Sequence, residues 1–121
     1  MSHKVTGKFE FDADKIKHLK AAVDSRKDCH WLGQGMYALY SESVQGEGFK
    51  INSWKYPCVV ADGHIQYDNF NGHWGKQSVL DEIVQDAVAN MTAEAAIMSG
   101  FQEYSRETNS EGELVLTLYR E

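Results

Sequence analysis

Hydrophobic and polar positions alternate, then shift to helical spacing, twice along this chain. Val5, Phe9 and Phe11 alternate with polar neighbours and predict a first strand with one buried face. Asp12 or Asp14 then offers a carboxylate to the start of a helix. Ile16, Leu19 and Val23 recur at three- and four-residue spacing, while Lys15, Lys17 and Lys20 occupy a solvated face; the helix is expected to end near Ser25 to Asp28. CHWLGQG, residues 29–35, reads as a loop because its glycines confer backbone freedom. Short strands follow at Met36 to Ser41 and around Phe49 and Ile51, separated by the turn-like QGEG. Cys58 to Ala61 is apolar and meets Asp62-Gly63, a two-residue hairpin signal, before Ile65 and Tyr67 lead back. The middle of the chain is therefore expected to be an antiparallel meander.

The long second helix carries the strongest periodicity. Leu80, Ile83, Val84, Ala87, Val88, Met91, Ala95 and Met98 fall on one stripe. Ser78 with Asp81 resembles a capping box, Asp81 and Glu82 suit the first turn, and Gly100 suits the position just past the end. Ala89, Ala93 and Ile97 form a second apolar row, covered either by the chain itself or by a second subunit, which would make a homodimer through this helix. Gln102 to Glu107 and Leu114 to Tyr119 close the chain as a hairpin around the polar turn TNSEG. The order β-α-β-meander-α-β-hairpin predicts one α+β domain over residues 1–121, a mostly antiparallel sheet with two helices packed on one face.

Composition narrows the function. A formal charge of −6 disfavours general nucleic-acid binding. Cys29 and Cys58, without CxxC spacing, read as free thiols of a cytoplasmic protein. MSHKVTGK lacks the apolar run of a secretory signal, and no stretch suggests a membrane span. No phosphate-loop or cofactor motif is present: GQG and GEG are neither GxGxxG nor a P-loop. His64, His73 and Asp62 are the candidate metal ligands, of the right atom types but without tight zinc spacing.

The richest stretch is Gly48 to Gly75, GFKINSWKYPCVVADGHIQYDNFNGHWG, where aromatic rings are set among amides and imidazoles. Trp54, Tyr56, Tyr67, Asn69, Asn71, His73 and Trp74 are the candidate ligand- or partner-binding residues, with Lys50 and Lys55 interleaved and Trp31 a further ring. Strand alternation would put Tyr67, Asn69 and Asn71 on one outward face and Phe70 inward as an anchor. The competing reading has Trp54 and Trp74 filling the core between sheet and helices.

YDNFNGHWG, the MSH start, the long helix and the terminal GFQEYSRETNSEGELVLTLYRE together resemble a family of small proteins of unknown function. That family includes an uncharacterised plastid and cyanobacterial reading frame and short bacteriophage products. It has no established catalytic residues, so the resemblance implies an intracellular, viral-type protein and no site. The reading is a binding protein rather than an enzyme, docking a protein partner or small polar ligand on the aromatic–amide face and modulating a host factor. A hydrolase using His64, His73 and Asp62, metal-assisted or not, is the alternative; an acidic decoy of a nucleic-acid channel is the third.

Overall fold

The computed structural model describes residues 3–108 and 114–120, with side chains up to residue 100. In order along the chain come β1 (Val5–Glu10), α1 (Ile16–Asp24), β2 (Cys29–Ala38), β3 (Ser43–Ile51), β4 (Cys58–Ala61) and β5 (His64–Tyr67). They are followed by α2 (Gln77–Met98), β6 (Phe101–Thr108) and β7 (Leu114–Arg120). The first five strands form one antiparallel sheet in the order β1-β5-β4-β3-β2. Strands β1 and β2 thus occupy opposite edges, because α1 carries the chain across the sheet before the meander steps back. The strands β6 and β7 form a separate antiparallel ribbon. This is the α+β class. Residues 109–113 at the expected turn, and the facing of Leu114, Leu116 and Leu118, lie outside what is described.

Both helices pack on one face. Leu19, Ala22 and Val23 of α1 and Leu80, Ile83 and Ala87 of α2 bury against Cys29, Phe49, Ile51, Cys58, Val60, Ile65 and Tyr67 of the sheet. Phe11, just past β1, closes this core. Each aliphatic or aromatic side chain removed from water here stabilises the fold by about 1.5–3 kcal/mol. Asp12, not Asp14, turns the chain into α1: its Oδ1 accepts from the amides of Asp14 and Lys15 at 3.1 Å. Of the second apolar row on α2, Ala89 and Ala93 are buried, whereas Ile97 is exposed. The Ser78–Asp81 capping box does not form, because α2 begins at Gln77 with Lys76 as its N-cap and no side-chain cap. That register also moves Asp81 and Glu82 beyond the first turn.

Two expectations about the sheet are corrected. Residues 29–35 are not a loop: β2 runs unbroken from Cys29 to Ala38, and QGEG lies inside β3. Of the glycines in GQG and GEG, Gly35, Gly46 and Gly48 serve close packing, whereas Gly33 faces open space and is set apart by its left-handed φ of 87°. Gly33 pairs with Gly48 and Gly35 with Gly46, which leaves a bare strip on the face away from the helices. Tyr37 lies along that strip and donates from its hydroxyl to the Gly33 carbonyl at 2.6 Å. A Cβ on Gly48 would sit 2.5 Å from the Tyr37 ring. Leu39, Val44 and Val59 form a smaller apolar cluster on the same face, flanked by Tyr37, Tyr56 and Ala61. The second correction concerns β1, which has no buried face. Val5 and Phe9 are exposed, and only Phe11 is sealed.

Candidate functional site

Two connections meet at one end of the sheet: residues 52–57, between β3 and β4, and residues 68–76, between β5 and α2. One main-chain bond joins them, and others close the second connection on itself. The Lys55 amide donates to the Trp74 carbonyl at 2.9 Å, and the Asn69 carbonyl accepts from Trp74 at 2.9 Å and Gly72 at 3.0 Å. The first connection is braced by Lys50, whose Nζ donates to the carbonyls of Ile51, at 3.1 Å, and Trp54. Partial burial holds that ammonium below its ordinary pKa.

The second connection departs from the strand alternation expected of YDNFNGHWG. Pairing stops at Tyr67. Asp68 then accepts the Phe70 amide on its Oδ1 at 3.2 Å, and the chain reverses through three consecutive left-handed residues: Phe70 (φ 48°), Asn71 (φ 52°) and Gly72 (φ 94°). Left-handed backbone costs an L-residue about 1–2 kcal/mol, so Phe70 in particular is held there by its surroundings. Its ring packs 4.8 Å from Trp74 and 5.0 Å from His73.

This geometry divides the seven candidate residues. Trp54, Tyr67 and Asn69 are not outward and wet; they are 2%, 8% and 5% exposed. Trp54 lies against the Gly75 backbone and meets Tyr67 edge-on at 5.8 Å. Asn69 has a structural use: its Nδ2 donates to Gln77 Oε1 at 3.0 Å, and Gln77 Nε2 donates to Asp81 Oδ1 at 3.1 Å. Burial pushes the Tyr67 phenol up, partly offset by a hydrogen bond from Gln77. Asn71 and His73 are exposed, and Tyr56 and Trp74 are half-buried. Asn69 and Asn71 therefore do not share a face, and Phe70 is half-buried rather than a core anchor.

Trp74 is the centre of what remains at the surface. Tyr40, Tyr56 and Phe70 surround it at 5.1, 5.5 and 4.8 Å, and Lys55 Nζ stands 4.7 Å from its ring centroid. Beside it runs an open groove of about 640 Å³ lined by Ser53 to Lys55, Gly72 to Lys76 and Val79. Tyr40, on the β2–β3 connection, escaped the sequence reading because nothing in ALYSES marks it as a neighbour of Trp74. Lys76 escaped because its role depends on where α2 begins.

The metal candidates are not brought together. His64 sits on β5 with Nδ1 2.9 Å from the Gly7 carbonyl, Asp62 is exposed in the β4–β5 turn, and His73 lies beside the groove. Among the described residues no three His, Cys, Asp or Glu side chains converge as metal ligands would. Cys29 and Cys58 are buried; desolvation raises the Cys29 thiol to about 11 and pushes Cys58 up further, so neither is an activated nucleophile.

A second concavity, of about 320 Å³, lies between β1, β5 and α2. Phe9, Phe11, Ile65, Leu80 and Val84 make it mainly apolar, with Gln77 and Asp81 at its edge. It gathers one of the seven candidates, Tyr67, whereas the larger groove takes Trp54, His73 and Trp74. No protein-family model matches the chain, and no curated protein or solved structure matches it either. Among the described residues no helix is long and apolar enough to cross a membrane.

Proposed function

We propose that this protein binds a small polar ligand in the groove beside Trp74. The observation that carries the reading is the Trp74 hub itself. A half-exposed indole, ringed by three aromatic side chains and covered on one side by an ammonium, borders a concavity of about 640 Å³. Small-molecule sites are concave, roughly 300–1,000 Å³, and combine apolar walls with a few placed polar groups. The left-handed turn at Phe70 and Asn71 supports the same assignment, since backbone strain concentrates at ligand clamps and is retained where it sets a geometry.

The test is a screen of small polar fragments, neutral and charged, followed by amide chemical shifts of the labelled full chain. Binding perturbations are expected to cluster on residues 53–55 and 72–79 and to disappear in Trp74→Leu, whose fold is checked by circular dichroism. Fragments that bind only at the β1–α2 cavity, or none that bind at all, would overturn the reading.

A further inference from the structure

We infer that the ligand of this groove carries a phosphate group, as a small phosphomonoester, seated at the N-terminus of α2. The inference rests on the groove being the binding site. Four observations converge on it.

The first is the absence of carboxylates. The chain has 18 Asp and Glu against 12 Lys and Arg. Yet the groove is lined by Lys55, His73 and Lys76 with Ser53 and the two indoles, and by no acidic residue.

The second is the state of those cations. Several positive side chains elsewhere are paired, Lys4 with Glu42, Lys17 with Glu94, Lys20 with Asp24, and Arg26 with both Asp28 and Glu82, while exposed Lys8 and Lys27 stand apart from one another with no carboxylate partner among the described residues. Among the described residues no carboxylate pairs with Lys55 or Lys76.

The third is the helix end. Lys76 is the N-cap of a 22-residue helix, with no side-chain cap and no acidic residue in its first turn. The amide end of a helix carries partial positive charge, so a lysine there repels it, and an anion relieves both.

The fourth is independent of charge. Trp54, 2% exposed, stands in the wall of the same groove, and its Nε1–H has no acceptor among the described residues. Buried indole donors ordinarily have one.

A phosphomonoester supplies what these groups lack: close to two negative charges at neutral pH and three acceptor oxygens. A carboxylate brings one charge and two oxygens to a site holding two ammonium groups and a helix end. A nucleic-acid backbone is opposed by the net charge of −6, which acts over the whole of a polyanion but little on one small ester.

The labelled full chain is titrated with inorganic phosphate, phenyl phosphate and acetate at constant ionic strength. The two phosphates are expected to shift the Gln77 and Ser78 amides and the Trp54 indole N–H saturably, acetate far more weakly. Lys55→Met and Lys76→Gln are each expected to weaken phosphate binding about fivefold, the scale of a charge at a helix terminus. Lys8→Met, on exposed β1, is expected to leave it unchanged. Shifts that never saturate, equal losses in Lys8→Met, or tighter binding of acetate would overturn the inference. If neutral fragments give the Trp74-dependent footprint while phosphate gives none, the groove stands as the site and the phosphate assignment falls. If neither binds there, both fall.

Discussion

At the scale of single residues, the candidate site is shaped by what a glycine makes room for. Gly75 is the backbone floor under the Trp54 indole, and a Cβ there would overlap ring atoms that have nowhere to move at 2% exposure. Gly75→Ala is therefore expected to cost about 1–3 kcal/mol, the range for overpacking a filled interior, read as a lowered urea midpoint. Gly33→Ala is the contrast: φ is +87° and nothing lies within 4 Å of the new Cβ, so the penalty is backbone strain alone, about 1–2 kcal/mol. The groove should feel the first change and not the second, which fragment-induced shifts around Trp74 would show. Glycine-rich stretches here were legible as special positions, but not as strand positions. Whether a glycine reverses the chain or admits a ring depends on whether a partner such as Tyr37 lies across it.

At the scale of elements, α2 and the Asp62–Gly63 hairpin were plain in the sequence, because each is decided by neighbours within a few positions. Asp62 and Gly63 adopt φ 53° and 80°, the paired left-handed geometry that joins twisted antiparallel strands in two residues. The turn at residues 70–72 is the less legible counterpart. In sequence, residues 67–72 read as strand alternation, with Asn71-Gly72 passed over as a turn, and only the end of pairing at Tyr67 decided between them. Asn71→Ala is expected to destabilise the protein by about 1 kcal/mol, because Ala lacks the tolerance of Asn for left-handed backbone, while Asn71→Gly is expected to be neutral or better. Urea unfolding of both variants checks this, and thermal shift of Asn71→Ala should follow the same order.

At the scale of the whole molecule, buried groups of one sign set the alkaline limit of stability. The Cys29 thiol is raised from 9.0 to about 11, and burial raises Cys58 and Tyr67 as well. For each, the folded state holds its proton after the unfolded chain has lost it. For Cys29 the stabilisation is thus complete below about pH 9 and is lost as pH climbs through about 11, and Cys58 and Tyr67 act in the same direction. Each such group contributes a slope of up to ~1.4 kcal/mol per pH unit within its window. Lys50 acts in the opposite sense, since its folded pKa is lowered and the unfolded chain is the one that gains a proton. Three groups against one predict a urea midpoint that falls above pH 9, and a Cys29→Ala, Cys58→Ala double variant in which the fall is shallower. Because neither thiol ionises near neutrality, thiol reagents at pH 8 are expected to leave the native protein unmodified and to label both cysteines once urea unfolds it.

The amino-acid order alone determined the α+β class, the long helix and the Asp-Gly hairpin. Periodicity and turn chemistry are local properties, written within one element and readable there. Tertiary structure decided which aromatic rings are walls and which are surface. Trp54, Trp74 and Tyr67 have the same residue-level credentials, and only the packing of α2 and residues 68–76 against the end of the sheet buries the first and last and leaves Trp74 half open. It also decided the charge of the groove. Lys55 and Lys76 lie on different connections, and their meeting at an uncapped helix end depends on the main-chain bonds between Lys55, Trp74 and Asn69.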